Sequence, residues 1–325
     1  MSERKGWDNA FTAREPYGTV KGSPSYAGAL SFMRRRYSRD LQGVDVAVVG
    51  IPLDTATTHR PGARFGPRAI RAASTGIAWE RPWPWAFDPF DRLAVIDYGD
   101  CEFDPGRPET IVPFVEDFYG RILDAGVTPL TLGGDHFVSY PVIRALSARH
   151  GPLSLVHFDA HSDTWGEEQQ RLDHGTMFYH AVKQGLVDDA RSVQIGLRTT
   201  NDEPLGFNIL DARRVHRDGP EAIAAEVRRI VGGRKAYLTF DIDCLDPSCA
   251  PGTGTPVCGG LSTHQALEIV RGLAPPGTAP IDLVGMDVVE VAPAYDVGEI
   301  TALAGATLAA EFLCVLAARR GERAR

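Results

Sequence analysis

Two stretches of this chain place cation-binding groups at every second position. They are His157-Phe158-Asp159-Ala160-His161-Ser162-Asp163 and Phe240-Asp241-Ile242-Asp243-Cys244-Leu245-Asp246. Each ends an apolar run. In an extended strand residues i, i+2 and i+4 share a face. Asp159, His161 and Asp163 are therefore expected to point together, as are Asp241 and Asp243. Like carboxylates on one face repel unless a cation sits among them. The donors are oxygen and imidazole nitrogen without sulfur, a set that suits Mn, Mg, Fe(II) or Zn. Cys244 is off the parity of Asp241 and Asp243 and is expected to point into the fold. A third segment, Gly133-Gly134-Asp135-His136, adds another imidazole. His136, Asp159, His161, Asp163, Asp241 and Asp243 are too many for one catalytic metal that keeps an open position. Two ions about 3.5–4 Å apart with shared carboxylates use them naturally, and can hold a bridging water as hydroxide.

Other readings fit less well. Asp241, Asp243 and Asp246 have the spacing of a calcium loop, but the Gly of loop position 6 is missing, and Gly252 stands where the closing Glu belongs. Asp246 precedes Pro247 and reads as a turn former. His136 alone, after two glycines, would read as structural; Asp135 beside it and two further clusters favour a ligand. Gly252-Thr253-Gly254-Thr255-Pro256 lacks the Lys and the following helix of a phosphate loop, so it reads as a tight loop lining the site. Neither G-x-G-x-x-G nor G-x-S-x-G occurs.

The elements that must position these groups follow a rhythm. Apolar, β-branched runs recur at Val46–Pro52, Leu93–Tyr98, Val127–Leu132, Leu153–Phe158, Ser192–Leu197, Ala236–Phe240 and Leu283–Val291. Helix-length segments lie between them at Pro67–Ala73, Glu109–Ala125, Val138–Arg149, Gly219–Val231, Thr263–Gly272 and Glu299–Arg319. Such alternation predicts an α/β fold with a mostly parallel sheet covered on both faces. Sites in these sheets form at the carboxyl ends of strands, where His136, the Asp159 and Asp241 clusters and Glu290 all fall. No repeat or linker divides the chain, so residues 44–325 read as one domain behind a polar arm at 1–43. Arg34-Arg35-Arg36 in that arm is expected to solvate a surface or join a subunit contact.

Composition excludes several functions. A chain of 325 residues that is 43% hydrophobic can bury a large core. A net charge of −8 disfavours nucleic acid and tolerates a cationic substrate. Met1 to Tyr17 shows no apolar run of a secretory signal. Five scattered cysteines show no disulfide pattern, so a reducing, cytoplasmic setting is expected. Ile300–Ala318 is apolar enough for a membrane span, but Glu311 within it favours a buried helix, and no membrane partner is expected.

Taken together, Gly133-Gly134-Asp135-His136, Asp159-Ala160-His161-Ser162-Asp163 and Asp241-Ile242-Asp243-Cys244-Leu245-Asp246-Pro247 resemble, in order and spacing, the metal motifs of the ureohydrolase family, which includes arginases, agmatinases and guanidinobutyrases. Gly62 to Pro67, Asp173 to Tyr179, the Ala250–Gly260 loop and Met286 to Pro293 extend the resemblance from about Asp45 to the C-terminus. It implies a three-layer α/β/α sandwich around a mostly parallel eight-stranded sheet. It also implies two Mn2+ ions per subunit and hydrolysis of a guanidinium to an amine and urea by a metal-bridging hydroxide. By the same resemblance one ion takes His136, Asp159, Asp163 and Asp241, and the other takes His161, Asp159, Asp241 and Asp243. His174 would pass a proton to the leaving amine, and Glu290 would bind the guanidinium. Without the resemblance, His174 could be a satisfied polar core histidine and Glu290 half of a buried ion pair. A homo-oligomer, trimer or hexamer, is also implied.

Substrate choice falls to the loop Thr164–Asp173, which departs from the Asn- and Ser-rich pattern of arginases. Asp173-His174-Gly175-Thr176-Met177-Phe178-Tyr179 and Pro251 to Val257 look most like bacterial agmatinases, so agmatine, giving putrescine and urea, is the expected substrate in polyamine biosynthesis. Glu167, Glu168 or Asp173 could receive its amine, and Trp165 could pack on its methylenes. Arg171 leaves open 4-guanidinobutyrate, whose carboxylate it could pair with. His59 is unusual for an agmatinase and could touch substrate. A non-catalytic relative and a single-metal, deacetylase-like amide hydrolase remain as alternatives of other classes.

Overall fold

The computed structural model describes residues 25–79, 81–166, 171–202 and 205–320. Its strands are β1 (Val46–Ile51), β2 (Val95–Asp100), β3 (Thr128–Gly133), β4 (Ser154–Phe158), β5 (Val193–Ile195), β6 (Asn208–Leu210), β7 (Lys235–Asp241) and β8 (Asp282–Val289). Its α-helices are α1 (Gly66–Ser74), α2 (Ile111–Asp124), α3 (Ser139–His150), α4 (Met177–Lys183), α5 (Ala212–Asp218), α6 (Pro220–Val231), α7 (Thr263–Arg271) and α8 (Ile300–Ala318). The strands form one 8-stranded sheet in the order β2-β1-β3-β8-β7-β4-β5-β6. Every pairing is parallel.

Each strand feeds two cores, because successive side chains alternate between faces. Val46 and Val48 of β1 enter the core roofed by α1, α5, α6, α7 and α8. Ala47, Val49 and Ile51 enter the other, roofed by α2, α3 and α4. The result is an α/β/α sandwich whose central strands are buried on both faces along almost their whole length. The six helix-length segments expected from sequence correspond to α1, α2, α3, α6, α7 and α8. Short elements escaped prediction. β6 has three residues and α4 and α5 seven each, too short for a periodic signal.

Helix α8 is buried along almost its whole length, and Glu311 is 2% exposed. Glu311 is answered by Arg271, with Nε 3.0 Å from Oε1, and by Trp85, whose Nε1 donates to Oε2 at 2.5 Å. An apolar helix wrapped by sheet and helices thus accommodates its single carboxylate by pairing.

One expectation is corrected. Arg34 and Arg35 do not solvate a surface, since each is 2% exposed. The backbone around them is tied down: Phe32 N–H donates to Asp97 and Met33 N–H to Ser74 Oγ, both at 2.7 Å. The Arg35 guanidinium lies 4.0 Å over the Phe90 ring, and burial lowers its pKa to about 10. The first 24 residues of the expected arm lie outside the described residues.

Candidate active site

Four neighbouring strands in the middle of the sheet, β3, β8, β7 and β4, deliver the functional groups from their carboxyl ends. His136 follows β3, Glu290 follows β8, Asp241 and Asp243 close β7, and Asp159 to Asp163 follow β4. Strand parity does not align them, contrary to expectation. β4 stops at Phe158, and Asp163 has a positive φ of 52°. Asp241 caps a 3-10 turn, Ile242–Cys244, by accepting from the Asp243 N–H at 2.8 Å. Convergence comes from loop turns at adjacent strand ends. Cys244 does point into the fold, fully buried against Ile195.

The donors fall into two groups joined at Asp159. His136 Nδ1 lies 3.0 Å from Asp159 Oδ2, 3.0 Å from Asp163 Oδ2 and 3.2 Å from Asp241 Oδ2. His161 Nδ1 lies 3.3 Å from Asp159 Oδ1 and 3.2 Å from Asp243 Oδ2. Asp159 thus turns a different oxygen toward each group. His136, Asp159 and Asp243 are at most 1% exposed, and Asp163 and Asp241 no more than 5%.

Such a cluster is costly without cations. Burial and the charge of Asp159 push the Asp163 carboxyl up, and burial with Asp243 and Asp159 pushes Asp241 well up. Burial opposes ionisation of Asp159 too, but the imidazoles of His136, His157 and His161 beside its oxygens hold it well below the usual carboxylate range. His161, despite its burial, is pushed up to about 12 by Asp243 and Asp159. The His136 ring fits a metal more closely than a proton network. Its Nε2 meets Thr239 Oγ1 at 2.8 Å, while its buried Nδ1 makes no well-aligned hydrogen bond to the three carboxylates around it. An imidazole anchored at one nitrogen, with the other aimed among carboxylate oxygens, is the form a metal ligand takes. The residues present therefore fit a pair of oxygen- and nitrogen-bound metal ions.

Beside this cluster His174 Nδ1 lies 3.5 Å from Glu290 Oε1. Burial lowers the His174 value, but Glu290 more than reverses this, to about 9. Glu290 has a φ of 63°, and its Oε1 accepts the His136 N–H at 2.8 Å. Its own N–H donates to Gly134 O at 2.8 Å. Only glycine fits at 134, where a Cβ would stand 1.8 Å from Leu53 O. These contacts lock Glu290 against the loop that carries His136.

A cavity of about 250 Å³ is lined by His161, Asp163, Trp165, Arg171, Asp173 and His174 among others, with the buried Glu290 outside that lining. Arg171 Nε donates to Asp173 Oδ2 at 2.8 Å, and Asp173 Oδ1 accepts from the Gly175 N–H at 3.0 Å. Asp173 therefore both shapes the turn carrying His174 and neutralises Arg171. His59 is exposed and does not line this cavity. Glu167 and Glu168 lie outside the described residues.

Sequence reasoning assigned no role to several residues around the cluster. His157 is fully buried with Nε2 2.8 Å from Asp159 Oδ2. It stands two positions before Asp159, so the alternation that drew attention to Asp159 also marked it. Arg198 grips the carbonyls of Gly196, Asp243, Cys244, Leu245 and Val257, holding the loop that carries Asp243. Nothing local in sequence marks such a clamp.

A family model described as the arginase family matches residues 44–315. A protein named agmatinase from Chromobacterium violaceum is 56% identical over 311 residues, covering 95% of each chain. Another of that name from Neisseria meningitidis serogroup A is 52% identical over 277 residues, covering 85% of this chain and 88% of its own. The crystal structure of a hypothetical agmatinase from Burkholderia thailandensis superposes with a TM-score of 0.93 at 57% identity, covering 96% of this chain and 98% of that one. Proclavaminate amidino hydrolase from Streptomyces clavuligerus superposes with a TM-score of 0.85 at 37% identity, covering 92% and 100%.

Proposed function

We propose a function on one premise: the chain belongs to the arginase family and is a ureohydrolase. Its substrate in this reading is agmatine, which it hydrolyses with one water to putrescine and urea. The doubled Asp/His cluster sharing Asp159, with Glu290 and His174 beside it, carries the reading. His136, Asp159, Asp163 and Asp241 would hold one manganese ion, and His161, Asp159, Asp241 and Asp243 the other. When bound, the ions supply an activated water as nucleophile at neutral pH and cancel the repulsion among the carboxylates.

The chain's own groups then have separable tasks. A guanidinium carbon is a poor electrophile because its charge spreads over three nitrogens, so it must be held in place. Glu290, fixed by the His136 and Gly134 backbone, pairs with the planar cation and orients it over the cluster. His174, held beside Glu290, which favours its protonated form, delivers a proton to the departing amine nitrogen. Trp165, at the cavity wall, packs on the methylene chain.

Arg171 favours the amine-bearing substrate over 4-guanidinobutyrate. Its guanidinium is engaged by Asp173, so it offers a substrate carboxylate no uncompensated charge. The relatives named agmatinase support the same choice. Free thiols at Cys101, Cys244, Cys249, Cys258 and Cys314 suit a cytoplasmic setting, and we place the enzyme there as a homo-oligomer. Urea release from manganese-loaded enzyme over agmatine, 4-guanidinobutyrate and arginine tests the proposal. Agmatine is expected to have the highest kcat/KM; a clear preference for either acid would overturn the substrate assignment.

A further inference from the structure

His157 opens the first Asp/His stretch but has no role so far, yet it is fully buried against the centre of the cluster. Its position near His136, Asp159 and Asp163 would allow it to be a metal ligand. Its hydrogen bonds argue otherwise. The Gln194 amide nitrogen lies 2.6 Å from the Ser162 carbonyl oxygen, which can only accept. That contact fixes which end of the Gln194 amide faces the site. The same nitrogen lies 3.1 Å from His157 Nδ1, so Nδ1 must accept. The ring proton then sits on Nε2, where it donates to Asp159 Oδ2 at 2.8 Å. A ligand role would reverse this arrangement: Nε2 would give its lone pair to a metal, and a proton on Nδ1 would collide with the Gln194 N–H. Packing prevents escape, since the Phe178 ring meets His157 edge-on with centroids 4.7 Å apart.

Asp159 is held at both oxygens as a consequence. The His161 N–H donates to Oδ1 at 2.6 Å, and His157 donates to Oδ2. Oδ1 faces the His161 group and Oδ2 the His136 group. One donor per oxygen sets the rotation of the carboxylate and leaves a lone pair on each for a cation.

We propose that His157, oriented by Gln194, is a positioning residue that holds the Asp159 carboxylate across the two metal positions. The proposal rests on the two-metal reading above. Outer hydrogen-bond partners of metal ligands typically contribute 10- to 100-fold in affinity.

The test is calorimetric titration of metal-free full-length protein with Mn(II), with low-temperature EPR for the signal of a spin-coupled pair. Wild type should take up two ions and show the coupled signal. His157→Phe keeps a ring against Phe178 but removes the donor; it should bind about 10- to 100-fold more weakly and lose the coupled signal. Gln194→Leu, which touches no proposed ligand, should move both readouts the same way. His157→Gln, with an amide N–H in reach of Asp159, should recover most of the affinity. Wild-type affinity and coupling in His157→Phe would overturn the proposal. So would one-ion binding in His157→Gln, which would make the imidazole itself a ligand. Should His157→Phe fail to fold, Gln194→Leu decides alone, and wild-type behaviour there refutes the positioning role. A wild-type chain that binds fewer than two ions would overturn the metal reading and this proposal with it, a failure visible before any variant is made.

Discussion

Asp241→Asn should separate the cost of the acidic cluster from the gain of filling it. Asp159, Asp163, Asp241 and Asp243 are all buried. Their four charges are what two dications would cancel. Without cations, burial, Asp243 and Asp159 all oppose the ionisation of Asp241 and push its pKa well up. Asparagine keeps the cap, because its oxygen can still accept the Asp243 N–H, but it carries no charge. Metal-free Asp241→Asn should therefore melt at or above metal-free wild type. Adding manganese should reverse the order. Each ion at a hundred times its Kd stabilises the native state by about 2.7 kcal/mol. Unfolding entropy of about 2.1 cal/mol/K per residue amounts to about 0.7 kcal/mol/K for this chain. Two ions should then raise the wild-type Tm by about 8 °C. The variant, missing a group assigned to both ions, should gain well under half of that. Calorimetry with chelator and with added manganese reads both quantities. A metal-free variant that melts below metal-free wild type yet gains the full manganese shift would refute the reasoning.

Two further outcomes are expected. In metal-free protein the His174 ring should titrate near 9, and Glu290→Gln should drop it toward or below the unfolded value of about 6.5, as read by NMR. Because the folded value is the higher one, this pairing stabilises the fold fully below about 6.5 and is lost as pH rises through about 9; an unchanged midpoint in Glu290→Gln would exclude Glu290 as the cause. Arg271→Leu should destabilise by about 3–5 kcal/mol in denaturant unfolding, because Glu311 stays buried with only Trp85. Pairing it with Glu311→Leu should restore most of the loss, and a double variant as unstable as the single would contradict a buried ion pair.

The alternation of apolar runs with helix-length segments was enough to anticipate the sandwich, because a strand buried on both faces has no polar alternation to hide it. It was not enough for β6, α4 and α5, whose few residues carry no period. The side chains of the Asp/His cluster were visible as types at recognisable spacings, but the reason expected for their convergence was wrong. Asp159 to Asp163 converge through a loop with Asp163 at positive φ, not along a strand face. Arg34 and Arg35 read as surface charges, since nothing local marks the Phe90 ring or the backbone ties that enclose them.

By itself the sequence determined which groups meet at the site, because residue chemistry and motif order are local properties. Tertiary structure alone decided how they meet. The sheet order makes β3, β8, β7 and β4 neighbours and so assembles residues more than a hundred positions apart. It also aims each oxygen of Asp159 at a different group and sets Gln194 behind His157. Those are orientations of hydrogen bonds and charges across strands, and no spacing along the chain encodes them.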